Sequence, residues 1–538
     1  MTPSPRAGPT ERPVTTWLLA AAVACVALFA VLRGQTTAWD LRNYHLYAPW
    51  ALLHGRAAID LAPAQLQTWF NPLLSVPYFL ASTMLPAWAC TFLLGLVQGT
   101  NVLVLHAIAR RVFPSSASGL ARFALPVAVA VGFLSATSVS EIGTTYGDNL
   151  VSIPCLASLA LLLRAFAADG GTRADLAGAG LLAGIAVGLK LVVAPFALGL
   201  VAVAAFLPGS WTTRMRTLIV FGVALLVGVA LAGGWNFWRN WVEFGNPVYP
   251  QFGHLFGGRW DPPFAVSDLR WQVHGIGEAF GRPLDLISHW EAAGELRFRD
   301  ARLPLMLFTA LAWPWCRRRI VDPRVRLMLD ALCAGFLVAW CAWLVVFGYH
   351  RYLCGWEMLA PVVAIAALVA AGARPAFWAA LAFLLLATTL PANLGTARFA
   401  PRVVDVRFPP LAAQADGLVL LAGDAPTAYL VTALGEANAY VRISGNLYGD
   451  PRPPFELDRE AARRIDAHRG RVLALLQERD PARLQPVFAR FGLQLDVAGC
   501  AAIASNLTPK YEVAPALCPV RRLEPAAGAL ARIANEPG

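Results

Sequence analysis

Charged side chains are scarce in this sequence. Only 14% of its 538 residues are Asp, Glu, Lys or Arg, and 57% are hydrophobic, whereas about a quarter of the residues in soluble proteins are charged. Apolar runs near the ~20 residues that cross a bilayer recur from Thr16 to Pro391. This composition excludes an ordinary soluble protein and predicts an α-helical polytopic membrane protein.

Lysine is almost absent. The net charge of +11 rests on arginine, and Lys190 and Lys510 are the only lysines. Arginine in short loops reports membrane orientation, so we expect no nucleic-acid partner. The pattern predicts about eleven transmembrane helices in a bacterial-type inner (plasma) membrane, with the N-terminus cytoplasmic and the C-terminal tail extracytoplasmic. The predicted crossings are 17–33, 88–109, 121–138, 150–166, 176–190, 192–207, 217–238, 303–316, 327–347, 357–372 and 375–391.

Cysteine spacings typical of metal sites are also missing. The nine cysteines form no CxxC motif and accompany no histidine-rich run, so these residues predict no metal site. Cys500 and Cys518 share the tail, where an oxidising compartment would let them form a disulfide.

The sequence predicts two domains: a transmembrane domain, 1–391, and an extracytoplasmic α/β domain, 392–538. The tail has strand-like runs at 417–422, 439–443 and 471–476 and a charged helix around 457–468. Alternating strands and helices are typical of a small α/β domain.

The first outer loop carries a run of closely spaced polar and aromatic side chains. Asp40 directly follows the first apolar run, and Arg42, Tyr44 and His45 come next. Asp40 is either a cap of the following helix or a functional carboxylate at the membrane edge, where its neighbours would hold a sugar, a phosphate or a metal ion. Two apolar pieces in the loop are too short to cross and predict interfacial helices, 43–55 and 72–84.

Further polar candidates stand at the outer ends of later crossings. Asp148 either caps its helix or has a functional role, and Lys190 either extends to the interface or binds a lipid-linked phosphate. We expect Glu141 to be an exposed loop residue and Asp60 to be a surface residue.

Two aromatic clusters add cations to this set. Arg239 and Asn240 follow a tryptophan-rich stretch, and His350 and Arg351 lie between tyrosines. Aromatic residues collect at membrane interfaces in any case, yet these polar side chains offer groups for a phosphate or a sugar.

The order of these motifs resembles the GT-C superfamily of integral membrane glycosyltransferases, and within it the ArnT and protein mannosyltransferase-like group. The resemblance covers about residues 15–400. It rests on the acid after the first crossing and the segments 70–74, 140–151, 184–190 and 239–247. The chain departs from the family pattern in two ways: Leu41 follows Asp40 where paired acids are frequent, and Asn71-Pro72 replaces Pro-Pro.

The resemblance implies transfer of a hexosyl or pentosyl group from a polyprenyl-phosphate donor to a lipid, glycan or protein acceptor of the cell envelope. It implies that Asp40 is the catalytic base. Our hypothesis adds that Asp148 positions the acceptor or a metal, and that Lys190, Arg239 and Arg351 hold the phosphate. A divalent cation is left open as a cofactor, and membrane lipids are expected partners.

Two other classes of function stay open. A transporter or lipid flippase for envelope glycolipids would also place charges within a helix bundle, and would favour charges near mid-membrane and a repeat relating two halves. A non-enzymatic assembly protein would use its outer tail to recruit envelope proteins.

Overall fold

Helices dominate the computed structural model, which describes residues 11–114, 119–166, 172–263, 269–414, 416–446, 453–523 and 528–534. The helices are α1 Glu11–Arg33, α2 Tyr47–Leu53, α3 Val76–Met84, α4 Ala87–Val112, α5 Ala124–Phe133, α6 Ala136–Glu141, α7 Asp148–Ala165, α8 Arg173–Leu189, α9 Ala194–Ala205, α10 Trp211–Phe244, α11 Gly253–Phe256, α12 Ile276–Ser288, α13 Arg302–Cys316, α14 Pro323–Val346, α15 Cys354–Ala370, α16 Pro375–Thr388, α17 Tyr429–Leu434, α18 Glu456–Ala467, α19 Gln485–Arg490 and α20 Ala529–Ala534. The strands are β1 Gln35–Thr36, β2 Thr396–Ala397, β3 Val406–Arg407, β4 Leu418–Ala422, β5 Ala439–Arg442, β6 Val472–Leu476, β7 Leu493–Leu495, β8 Ala501–Ala502, β9 Ala504–Ser505 and β10 Ala516–Arg522.

The chain forms two compact units that do not follow chain order. The helical unit comprises Met1–Arg33, Thr91–Gly233 and Asp268–Leu394, and the mixed unit comprises Gly34–Cys90, Gly234–Ser267 and Gly395–Gly538. This division differs from the predicted split after residue 391, because the first outer loop belongs with the tail. The physical reason is backbone hydrogen bonding: Leu61 N donates to Tyr440 O at 2.8 Å.

Each predicted crossing coincides with a helix: α1, α4, α5, α7, α8, α9, α10, α13, α14, α15 or α16. Among the described residues, six helical segments are long and apolar enough to cross a membrane, namely Thr15–Arg33, Ala87–Val112, Asp148–Ala165, Trp211–Phe244, Pro323–Val346 and His350–Ala370. The protein is therefore an integral membrane protein. The count of eleven crossings, like the orientation, stays a prediction.

Glycine determines how α8 packs in the helical unit. Gly180, Gly184 and Gly188 recur every four residues and so share one face of the helix. A Cβ atom on Gly184 would lie 1.9 Å from Leu225 O, and one on Gly180 would lie 2.2 Å from Phe221 O, both on α10. The two helix backbones therefore touch, as small residues permit between membrane helices.

A sheet organises the tail of the mixed unit. Its strand order is β5-β4-β6-β10-β7, with β4 parallel to β5 and β6, β10 antiparallel to β6 and β7, and β8 paired with β10. All residues of β4 and β6 are buried, which explains why their sequences are continuous apolar runs. The three predicted strands and the charged helix are confirmed, and so is the Cys500–Cys518 disulfide.

The prediction that Asp60 is a surface residue is wrong. Asp60 is buried and pairs with Arg56, whose Nη2 lies 2.7 Å from its Oδ1. Tyr47 Oη donates to Asp60 at 3.0 Å, and Tyr440 N donates at 3.1 Å. Burial raises the pKa of Asp60, while the Arg56 guanidinium opposes that shift. The pair thus ties the first outer loop to the edge strand β5.

Candidate functional site

The predicted site residues fall into both units, and each unit is described by itself. The helical unit holds Asp148, Lys190, His350 and Arg351. The mixed unit holds the remaining ones: Asp40, Arg42, Tyr44, His45, Arg239 and Asn240.

In the helical unit, two buried carboxyl groups and two partly buried cations lie together, and we name this group the Lys190 cluster. Its members are Asp148, Glu141, Lys190 and Arg351. Lys190 Nζ donates to Asp148 Oδ1 at 2.5 Å, and Arg351 Nη1 lies 3.6 Å from Asp148 Oδ2. Asp148 is the first residue of α7 and Gly147 takes the cap position, with φ 90°. The capping alternative for Asp148 is thus not what the structure shows; its carboxylate faces two cations.

Aromatic rings and a carbonyl oxygen complete the surroundings of these cations. Lys190 Nζ also donates to Tyr146 O at 2.8 Å. The Arg351 guanidinium lies 4.2 Å from the ring centre of Tyr146 and 5.0 Å from that of Tyr349. Both cationic side chains remain 16% exposed. Ring faces attract cations while leaving one side of them open to a further partner.

Glu141 is the residue that sequence reasoning misjudged, since it is buried instead of exposed. Its Oε2 accepts a hydrogen bond from Asn149 N at 2.8 Å. Burial, and then the charge of Asp148, raise the pKa of Glu141 well above its usual range. The ion pairs themselves set two cations, Lys190 and Arg351, against the one carboxylate of Asp148.

One sequence signal could have identified the burial of Glu141. Gln98 lies inside the apolar helix α4, where an amide is costly unless it finds partners. Its Nε2 donates to Glu141 O and Thr144 O, both at 3.0 Å, and its Oε1 accepts from Gly143 N at 2.8 Å. An intramembrane amide thus marks a nearby buried loop.

A pocket adjoins the Lys190 cluster within the helical unit. It has an empty volume of about 450 Å³, part of it open space at its mouth. Polar and aromatic side chains share its wall with small apolar residues. The lining residues are Ala136, Thr137, Ser140, Glu141, Tyr146, Ala293, Gly294, Glu295, Leu296, Phe298, Tyr349, His350, Arg351, Ala392 and Leu394. The pocket therefore offers hydrogen-bonding groups of the kind that a polar headgroup needs.

His350 is held rigidly in the wall of this pocket. Its ring stacks on Phe298 with centroids 3.9 Å apart, and its Nε2 lies 3.4 Å from Glu357 Oε1. Its Nδ1 lies 3.4 Å from Thr137 Oγ1. Sequence reasoning singled out His350 but missed Glu357, whose carboxylate fixes the ring.

Asp300 and Arg302 form a second buried pair that sequence reasoning missed. Arg302 Nη1 donates to Asp300 Oδ2 at 2.6 Å, and Ala136 N donates to the same oxygen at 2.7 Å. Arg302 also donates to Val131 O and Leu134 O, each at 3.0 Å. The pair therefore fixes the turn between α5 and α6, and with it the pocket wall that α6 provides.

In the mixed unit, Asp40 precedes a π-helical turn, Leu41–His45, and makes no side-chain cap of that turn. Asp40 is buried, and Tyr44 Oη donates to its Oδ2 at 3.2 Å. His45 Nδ1 lies 2.6 Å from Ser75 Oγ. The turn thus holds the Asp40 carboxylate against the Tyr44 hydroxyl.

Arg42 has protein partners of its own. Its two terminal nitrogens donate to Glu512 at 2.7 and 2.8 Å, and its Nε donates to Thr37 O at 3.0 Å. This bidentate pair accounts for a buried guanidinium without any ligand. Substrate binding by Arg42 stays a prediction.

Arg239 and Asn240 converge on one backbone oxygen. Arg239 Nη2 donates to Trp69 O at 3.4 Å and Asn240 Nδ2 donates to it at 3.2 Å. Asn240 also donates to Tyr249 O at 3.3 Å, and the Arg239 guanidinium lies 5.2 Å from the ring centre of Trp235. These contacts hold the residue at which the first outer loop turns toward Asn71-Pro72.

A metal site does not stand out. The parts of the chain that the structure describes contain no group of three or more His, Cys, Asp or Glu placed to hold a metal ion. In the Lys190 cluster, an ammonium group occupies the position beside Asp148 Oδ1 that a metal ion would need.

Comparisons with known proteins give one structural relative. No protein-family model and no curated protein sequence matches the chain. The crystal structure of ArnT from Cupriavidus metallidurans bound to undecaprenyl phosphate matches with a TM-score of 0.47 and 13% sequence identity, over 94% of this chain and 97% of that one. ArnT is a structural neighbour.

Proposed function

We propose that this protein is a membrane glycosyltransferase that moves a hexosyl or pentosyl group from a polyprenyl phosphate to an acceptor of the cell envelope. The Lys190 cluster carries the proposal. Two cations share one carboxylate inside a membrane-embedded helical unit, beside a pocket with polar walls. Charge buried at the end of a membrane-spanning helix is costly and is retained for function, and the phosphate of a polyprenyl lipid is an anion at the membrane surface.

Lys190 and Arg351 have complementary roles toward the phosphate. The ammonium supplies a point charge, and the planar guanidinium supplies directed N–H donors. Asp148 acts as a positioning residue, since it holds the Lys190 ammonium at 2.5 Å. The cations stabilise the negative charge that grows on the phosphate as it leaves.

Asp40 is the proposed base. The acceptor oxygen attacks the anomeric carbon, the bond from that carbon to the phosphate oxygen breaks, and the acceptor proton passes to the Asp40 carboxylate. The phosphate is already a good leaving group, so no second carboxylic acid is needed of the kind that glycosidases use. Arg239 is proposed to help Lys190 and Arg351 hold the phosphate. The residues proposed to contact the sugar or the acceptor are Arg42, Tyr44, His45, Asn240 and His350.

The test uses the full chain in liposomes with a polyprenyl-phosphate sugar labelled in the sugar. We expect Asp40→Asn to lower the transfer rate by about 10² to 10⁴, the usual contribution of a general base, while binding of the unglycosylated polyprenyl phosphate is retained. Glu436→Gln, on an exposed carboxylate of the same unit, is the matched control and keeps the parental rate.

Two outcomes would contradict the proposal. Transfer by Asp40→Asn at the parental rate would show that Asp40 is not the base. Binding of the lipid with movement across the bilayer, and with no transfer by the parent chain to lipid, glycan or protein acceptors, would favour the flippase alternative.

A further inference from the structure

Helix α12 presents an apolar stripe that no described part of the protein covers. Ile276, Phe280 and Leu284 are 78%, 80% and 65% exposed. Their spacing of four residues places them on one face of the helix. Exposed apolar side chains aligned over two turns mark an interaction surface.

The stripe borders the packed side of α12, and the exposed carboxylate of Glu278 lies away from it. Arg282 and Leu286 are buried, and the Arg282 guanidinium donates to Ala292 O and to Trp271 O. At 100° per residue, Glu278 lies about 160° around the helix from Phe280. The apolar arc of α12 is thus half packed on protein and half exposed, with charge on the opposite side.

Hydrogen bonds on both sides of α12 join it to the ends of two apolar helices. Just before α12, Gln272 Nε2 donates to Val346 O at 3.1 Å, and Val346 is the last residue of α14. After α12, Arg299 exchanges two backbone hydrogen bonds of 2.9 Å with Leu390, two residues beyond the end of α16. The segment is therefore fastened at both ends to the ends of α14, a candidate span, and of α16, a shorter apolar helix.

We propose that α12 is an interfacial helix whose Ile276, Phe280 and Leu284 side chains insert into the surface of the lipid bilayer. A helix with an exposed apolar stripe, lying where spanning helices leave the hydrocarbon, buries that stripe ~5–10 Å into the boundary between headgroups and acyl chains. Glu278 then faces water. This inference is independent of the enzymatic proposal, because it uses none of the residues of the Lys190 cluster.

Insertion has a structural consequence for the pocket wall. Through Ala292 O, Arg282 joins α12 to the loop that lines the pocket, and His350 N donates to Ala293 O at 2.9 Å in the same loop. A lipid-bound α12 thus anchors one wall of the pocket to the membrane surface.

The test places a photoreactive benzoylphenylalanine at position 280, an aromatic replacement for Phe280, in the full chain reconstituted in phosphatidylcholine and phosphatidylglycerol vesicles. The same group replaces Leu284 as a second reporter and Glu278 as the matched control. After irradiation, we expect mass spectrometry to find phospholipid adducts at positions 280 and 284 and none above background at 278. All three positions are exposed, so the replacements leave the packed face of α12 intact.

Three outcomes would overturn the proposal. Crosslinks from position 280 to a second copy of the chain would identify an oligomer contact instead of lipid. Equal lipid adducts at 278 and 280 would show that the stripe has no preference for the bilayer. The absence of lipid adducts at both 280 and 284, in vesicles where a reporter at the exposed α16 residue Phe383 does form them, would place α12 in water.

Discussion

The Lys190 cluster and the Arg56–Asp60 pair are both buried groups of opposite charges, one in each unit, and they differ in charge balance. Arg56 faces one carboxylate and the carbonyls of Glu436 and Asn438, and Asp60 receives donors from Tyr47 and Tyr440. In the Lys190 cluster, two cations face the one carboxylate of Asp148. The balanced Arg56–Asp60 pair has a structural role, whereas the second cation of the Lys190 cluster suits the phosphate binding that we propose.

Removing one partner of the balanced pair should have the largest effect. Arg56→Met leaves Asp60 as an uncompensated buried carboxylate, which costs about 3–5 kcal/mol. We expect a corresponding fall in the free energy of unfolding, measured by denaturant titration in detergent. The double variant Arg56→Met with Asp60→Leu should recover much of it. Equal stability of Arg56→Met and the parent would show that the pair is not structural.

The disulfide gives the next largest effect and acts on the mixed unit. Cys500 and Cys518 are 18 residues apart, and opening a loop of this size costs about 3 kcal/mol. Ser at both positions should lower the unfolding free energy by that amount and leave polyprenyl-phosphate affinity unchanged. Loss of polyprenyl-phosphate affinity in the folded variant would show that the disulfide supports lipid binding as well as stability.

A substitution of Lys190 tests whether the Lys190 cluster binds the phosphate. Lys190→Met removes a charge-assisted contact worth about 1.5–3 kcal/mol, so the Kd for polyprenyl phosphate in liposomes should rise about 10- to 100-fold. Because this variant leaves Arg351 as the one cation of the cluster beside Asp148, Lys190→Met with Asp148→Asn serves as the charge-matched form. If the double variant binds the lipid as tightly as the parent, Lys190 does not hold the phosphate.

The smallest expected effect concerns pH. The pKa of Glu141 is raised in the folded protein, so its stabilising contribution is fully present below the unfolded value of ~4.3 and is lost as pH rises through the folded value. Its ionisation also adds a negative charge beside Lys190 and Arg351, and lipid-phosphate affinity should fall by less than about tenfold. Glu141→Gln should abolish that part of the pH profile. Identical profiles of the two proteins above pH ~4.3 would contradict the assignment.

The sequence predicts those strands and helices that a short run of neighbouring residues specifies. The strands β4, β5 and β6 were recognisable because a buried strand reads as an apolar run, and the helices because they repeat such runs at crossing length. The burial of Asp60 and Glu141 was not recognisable, because averaged hydropathy does not show that a polar loop folds inward.

Pairing between distant residues was equally hidden. Asp148 and Lys190 were each singled out, yet 42 positions separate them and only the packing of α7 and α8 brings them together. Glu357, Arg302 and Asp300 escaped notice because each stands beside an apolar run, where a single charge is easily interpreted as a loop marker. Asp300 and Arg302 pair with each other, and α6 supplies the further donors, Ala136 N to Asp300 and Thr137 N to Glu357.

The glycine contact between α8 and α10 sets the position of the only lysine in the helical unit. Lys190 directly follows α8, and touching backbones leave no side chains between them whose rotation could absorb a shift along the axis. One added residue within α8 would advance Lys190 by about 1.5 Å and turn it by about 100°. The close contact at Gly184 thus fixes the position of α8 along its axis, and with it the position of the Lys190 ammonium group.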